Sequence, residues 1–164
     1  TPYAIDRDLK IKTWCNNKKI TCNIQRYGDL LSNVCLQVEL PSLNDTSIPE
    51  KYFSWVNAIG HALIDYVDIE IGGSVIDKQY GEWLHIWSEL SLNSNKRYGY
   101  EKMIGNVHEI YRPDDFHYIN DGDIQINSRK IIVPLKFWFN KLPGLSLPLI
   151  AFRPPHKAQL ALLV

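Results

Sequence analysis

The chain has 164 residues, and its 18 basic and 18 acidic side chains give a formal net charge of zero. A nucleic-acid-binding domain usually carries a basic excess or a basic face, so this balance argues against direct nucleic-acid binding. No apolar run reaches the ~20 residues that a membrane-spanning helix needs, which argues against membrane insertion. The length fits one domain, and the 12% aromatic content suits packed β-structure with large contact surfaces.

The residues before Pro41 are predicted to form short strands. Apolar and polar residues alternate over 20–24 and again over 34–40, which is the period of a half-buried strand. The two prolines of residues 41–51 predict a loop after these strands. This loop contains the sequon Asn44-Asp45-Thr46, so Asn44 is a candidate glycosylation site.

A β-hairpin followed by a helix is predicted between Ile64 and Leu92. Alternating apolar residues from Val67 to Ile71 predict the first strand of the hairpin. Gly72 and Gly73 follow where a two-residue turn needs positive φ, and glycine has no Cβ to oppose that conformation. The returning strand then leads into the helix.

The helix is predicted near residues 82–92. Glu82 suits its first turn, because a carboxylate is favourable near the positive end of the helix dipole. Large apolar residues then recur at i, i+3, i+4 and i+7, which predicts one buried stripe that braces the fold. These residues are Trp83, Ile86, Trp87 and Leu90.

The second half of the chain is predicted to combine a long loop with three strands. Residues 93–123 are polar and rich in Tyr, Asn, Asp and Gly, and long loops of this kind often carry contacts. Alternating apolar residues over 131–139 predict a strand, in which Pro134 favours an edge or a bulged position because it lacks a backbone donor. Two more strands are predicted over residues 147–152 and 158–164. Many short strands with one inserted helix are typical of an antiparallel β-sandwich or barrel.

No group of residues has the spacing of a catalytic, metal or cofactor site. The histidines are scattered, and Cys-x-x-Cys, phosphate-loop, dinucleotide and nucleophile-elbow motifs are absent. Four carboxylates could be pictured as acid pairs for glycoside hydrolysis, namely Asp68, Glu70, Asp77 and Glu82. Asp68 and Glu70 are instead expected to line the solvent face of a strand, as alternating acids usually do. The sequence therefore predicts no enzyme and no cofactor.

Four segments of the chain stand out together: RYGDLLSNVCLQVELP (Arg26–Pro41), SWVNAIGHALIDYV (Ser54–Val67), IDYVDIEIGGSVIDKQYGEWLHIWSEL (Ile64–Leu90) and IIVPLKFWFNKLPGLSLPLIAF (Ile131–Phe152). In the same order, these segments resemble the major capsid protein of the nucleocytoplasmic large DNA viruses, the group of mimiviruses, iridoviruses and phycodnaviruses. The resemblance covers most of the chain from Lys19 onward.

This resemblance implies an all-β fold, an antiparallel jelly-roll β-sandwich with one short inserted helix near 82–92. Residues 1–164 would form the first half of a double jelly roll. Because the chain begins at Thr1 rather than Met and stops inside the apolar run LALLV, we expect a fragment, with a second jelly roll after residue 164. In such a family three copies form a pseudo-hexagonal capsomer, and capsomers tile the shell of an icosahedral virion.

The resemblance also implies the partners and location of the protein. The partners would be two further copies in a homotrimer, neighbouring capsomers and minor capsid proteins, in a virion assembled in the cytoplasm of the infected cell. Residues 42–51 and 93–123 would be contact or outer-surface loops. The alternative from another class is a carbohydrate-binding β-sandwich, a lectin-like module with sugar stacked on exposed aromatic rings. Glycan binding by a monomeric protein would favour that alternative.

Overall fold

The computed structural model describes residues 19–24, 28–42, 54–111, 126–152 and 158–163, which form antiparallel β-sheets and α-helices. The largest sheet has four strands in the order β1 (Lys19–Ile24), β8 (Ala158–Leu163), β4 (Tyr66–Ile71) and β5 (Ser74–Tyr80). Two smaller sheets pair β2 (Leu30–Leu31) with β7 (Leu147–Pro148), and β3 (Cys35–Leu40) with β6 (Arg129–Pro134). Every strand pair is antiparallel.

The expectation of an all-β chain with one helix is wrong. The described residues contain four α-helices, namely α1 (Ile59–Ala62), α2 (Gly81–Ser91), α3 (Ser94–Ile104) and α4 (His108–Tyr111). Helix α2 lies where the single helix was predicted, whereas α3 and α4 occupy the first part of the predicted loop 93–123. Polar α3 is held in place because Tyr100 and Ile104, one turn apart, are buried together with Ala58.

The strand predicted over 131–139 is shorter than expected. Strand β6 ends at Pro134, and the following residues turn into 3-10 helices at Trp138–Asn140, Pro143–Leu145 and Leu149–Ala151. A proline at the end of β6 fits its position, since it offers no N–H for further pairing. The predicted alternation still identifies buried side chains, which are Ile131, Val133, Leu135, Phe137 and Phe139.

One core cluster joins the four-stranded sheet to both smaller sheets and to α2. Its buried members include Val67 and Ile69 of β4, Leu84 of α2 and Phe137 and Phe139. The two phenylalanine rings are stacked with centroids 5.5 Å apart. Burial of a large apolar side chain is worth roughly 1.5–3 kcal/mol, so this shared cluster fixes the sheets and α2 as one unit.

The turn between β4 and β5 has the two-residue form that the Gly-Gly pair predicts. Ile71 pairs with Ser74, and the intervening Gly72 and Gly73 have φ angles of 62° and 86°. The pairing register shifts between Ile69 and Glu70, shortly before the turn. The hairpin delivers β5 directly to the first residue of α2, so the sheet positions that helix.

Candidate interaction surface

The apolar stripe of α2 faces outward, and the prediction that it is buried is wrong. Trp83 is 44% exposed, Ile86 51% and Leu90 78%, and only Trp87 is half-buried. The helix itself and the spacing of the stripe are as predicted. The structure therefore exposes the apolar residues that a monomeric domain would normally cover.

The inward face of α2 is made of smaller residues that the stripe prediction did not include. Gly81, Leu84 and Ser88 are buried, and Leu84 belongs to the main core. The Ser88 hydroxyl is satisfied because it donates to the backbone carbonyl of His85 at 2.7 Å. A spacing of i, i+3 and i+7 with Gly81 at the first position was the sequence signal for this face.

The first residue of α2 packs tightly against the backbone that precedes β4. A Cβ atom added at Gly81 would overlap the backbone carbonyl oxygens of His61 and Ile64. These atoms belong to α1 and to the connection between α1 and β4, and backbone atoms cannot turn aside as a side chain can. Glycine at this position lets α2 lie directly against that connection, which fixes the direction in which the stripe points.

The exposed stripe has an ordered aromatic centre. The Trp83 and Trp87 rings lie with centroids 5.7 Å apart at an interplanar angle of 34°. The ammonium of Lys141 lies 5.5 Å from the centre of the Trp87 ring, within the range of a cation–π contact. Leu142, the next residue along the chain, is also exposed.

An ion pair joins α2 to α3 beside the stripe. Arg97 donates from Nη1 to Glu89 Oε2 at 2.8 Å. This hydrogen bond from Arg97 lowers the pKa of the Glu89 carboxyl. Both side chains are substantially exposed, so the pair contributes little to stability and mainly orders the polar rim.

A buried polar pair lies beneath the helices, and sequence reasoning did not find it. His61 Nε2 and Tyr100 Oη share a hydrogen bond of 2.9 Å, although the residues are 39 positions apart. The His61 ring also contacts the His85 ring at 5.7 Å. Burial, aided by nearby His85 and Lys136, lowers the pKa of His61 to about 4, while burial raises the pKa of Tyr100 to about 12. Both groups are therefore neutral near pH 7, and the pair links α1 to α3.

The four carboxylates considered for catalysis occupy unrelated environments. Asp68 is only 4% exposed, which contradicts the prediction that it lines a solvent face. Glu70 pairs with Lys19 at 3.6 Å, and Asp77 accepts a long hydrogen bond from the side chain of Gln79. Glu82 is exposed in the first turn of α2. These contacts account for Glu70 and Asp77 as structural residues.

Two of the predicted sites fall wholly or partly outside the described residues. Asn44 and residues 112–123 of the predicted contact loop lie outside the described residues. In the part of the chain that is described, no three His, Cys, Asp or Glu side chains are grouped closely enough to hold a metal ion. Nor does any helix there have the length and apolar character to cross a membrane.

The described residues thus define a β-sheet domain with helices whose most distinctive surface is an exposed apolar helix face. Residues 3–163 match the family model described as the N-terminus of the major capsid protein. The chain belongs to this family.

Similar proteins come from several large DNA viruses. The chain is 38% identical over 151 residues to the major capsid protein of Phaeocystis pouchetii virus, covering 83% of this chain and 29% of that protein. It is 42% identical over 138 residues to probable capsid protein 4 of Acanthamoeba polyphaga mimivirus, covering 80% of this chain and 25% of that protein. The chain therefore spans less than a third of the length of these relatives.

A solved structure has a similar fold. The crystal structure of VP54 from PBCV-1, fitted into a reconstruction of the virophage Sputnik, superposes with a TM-score of 0.67 at 27% identity. The match covers 90% of this chain and 31% of VP54. A quasi-atomic model of the PBCV-1 virus capsid matches with a TM-score of 0.65.

Proposed function

We propose that this chain is the N-terminal part of a structural protein that builds the outer shell of an icosahedral virion. The observation that carries the proposal is the family match over residues 3–163, nearly the whole chain. The protein performs no covalent chemistry in this role. It supplies a stiff body whose surfaces repeat by symmetry when many copies meet.

The physical features of the chain support this role. Three antiparallel sheets share one core, which gives a rigid body for repeated contacts. Equal numbers of acidic and basic residues allow many copies to pack without strong net repulsion. An exposed stripe with two tryptophans is the type of surface that protein–protein contacts bury.

The finer assignment is a jelly roll that forms the first half of a double jelly roll. The antiparallel pairing and the similarity to VP54 support this assignment. The chain covers less than a third of each relative, which leaves enough length for a second domain. Three copies of the complete polypeptide then form a pseudo-hexagonal capsomer, which contacts neighbouring capsomers and minor capsid proteins. The assembled protein is located in the shell of the virion.

The test is the oligomeric state of the complete polypeptide that carries residues 1–164. We expect light scattering after size exclusion to give a mass of three copies, and electron microscopy to show particles with a pseudo-hexagonal outline. The sequence after Val164 should encode a second strand-rich region of similar length. A protein that stays monomeric at every concentration and binds glycans on an array would contradict the proposal and favour a lectin.

A further inference from the structure

We propose that the outward face of α2 is a contact surface between copies of this protein, in which the stripe of one copy packs against a neighbouring copy. The stripe consists of Trp83, Ile86, Trp87 and Leu90. The proposal rests on the proposed function and adds to it the residues that make one of the contacts. It adds a second candidate contact to the predicted loop 93–123, of which α3 is packed into the fold only at Tyr100 and Ile104.

A helix that packs only against its own domain usually buries its large apolar residues. On α2 most of the large apolar residues are exposed instead. Glycine, serine and one leucine face inward, while one tryptophan, an isoleucine and a leucine face outward and the second tryptophan is half-buried. An outward apolar residue gains little from the folding of residues 1–164, since its surface stays in water there. Its burial free energy is released when another surface covers it, and aromatic anchors are enriched among residues that dominate such contacts.

The charges around the stripe favour a protein partner over a membrane or a nucleic acid. The polar positions of α2 are Glu82, His85, Ser88, Glu89 and Ser91, and the helix contains no lysine or arginine. A helix that lies on an anionic membrane usually carries basic residues on its polar face, and a nucleic-acid surface needs them for phosphate contacts. The acids of α2 suit a protein surface that offers cations as well as apolar side chains.

A second copy meets these requirements. Residues 1–164 of each copy carry as many basic as acidic side chains, 18 of each, and the stripe itself is flanked by Lys141 as well as by Glu89. A shell made from one protein also requires contacts between copies, which a surface specific for an unrelated ligand would not provide. A stable contact buries about 800 Å² per partner, more than one helix face supplies, so the stripe is the apolar centre of a larger contact.

The first experiment measures assembly of the complete polypeptide after a charge is placed in the stripe. In Leu90→Glu and Ile86→Glu, a carboxylate would have to be buried in the contact, so the concentration at which trimers or larger assemblies dissociate should rise at least about 30-fold. Both positions are more than half exposed in the folded chain, at 78% and 51%, so the thermal midpoint of the dissociated protein should not change. Tyr98→Glu is the matched control, since Tyr98 is 67% exposed on α3 and lies outside the stripe.

The second experiment identifies what covers the stripe. With the photoreactive residue p-benzoylphenylalanine in place of Leu90, irradiation of the assembled protein should give a product of twice the chain mass. Peptide mapping of that product should locate both ends of the link on this protein, and the same residue in place of Tyr98 should give a much lower yield of that product. A link within one chain, or none, would overturn the proposal.

The two proposals fail in different ways. If the parent protein assembles into capsomers and the Glu variants assemble equally well, the contact inferred for α2 is wrong and the capsid role stands. If the parent protein does not assemble at all, both are wrong.

Discussion

The Gly81→Ala variant is expected to lose about 3 kcal/mol or more of its free energy of unfolding, although alanine normally favours a helix. A methyl group there would overlap the carbonyl oxygens of His61 and Ile64. Helix propensity would return only about 1 kcal/mol, so overpacking decides the sign. For a chain of this size the thermal midpoint should fall by on the order of 6–12 °C, measured by circular dichroism.

Gly99→Ala provides the matched control on the neighbouring helix. Gly99 lies inside α3, and nothing is within 4 Å of the position that its Cβ would take. Only the propensity effect remains there, so this variant should gain up to about 1 kcal/mol. Equal stability of Gly81→Ala and the parent protein would contradict the close seating of α2. A surviving Gly81→Ala protein should also assemble poorly, because α2 would be displaced and the stripe reoriented.

The sequence predicted several β-elements because alternation is a local signal. The hairpin at Gly72-Gly73 and the strand ending at Leu40 follow from period-two patterns and turn chemistry that need no knowledge of distant residues. Helix α3 could not be found in this way. Its sequence is mostly polar with Gly99 near its centre, and it is buried only at Tyr100 and Ile104, so contacts with distant segments decide its conformation.

The sequence predicted which residues form the α2 stripe, but it predicted that they are buried, whereas most of them are exposed. A period of 3.6 shows that Trp83, Ile86, Trp87 and Leu90 share one face, and it does not say what that face contacts. In a monomer the apolar face is the buried one, and that assumption fails where further burial occurs between molecules. The contact between His61 and Tyr100 had no sequence signal, since it depends on the packing of α1 against α3.

Acidification is expected to destabilise the protein through His61. This side chain is 3% exposed, and burial is the main cause of the fall in its pKa from 6.5 to about 4. The folded state therefore favours the neutral ring, while the unfolded chain takes up a proton once the pH falls below about 6.5. The stability that His61 contributes is complete above pH 6.5 and is lost as the pH falls toward 4. At pH 5 the loss should reach up to about 2 kcal/mol, measured by urea unfolding at pH 7.5 and pH 5.

The variant His61→Gln separates this effect from the titration of other groups. His85, Tyr100 and Lys136 are the ionisable side chains that lie close to His61. Glutamine does not titrate and retains a polar atom for Tyr100, so the variant should be less stable at pH 7.5 but lose much less on going to pH 5. The same pH dependence in the variant and the parent would assign the acid sensitivity to other groups. A smaller loss of unfolding free energy in the variant would assign the acid sensitivity to the buried hydrogen bond between His61 and Tyr100, which links α1 to α3.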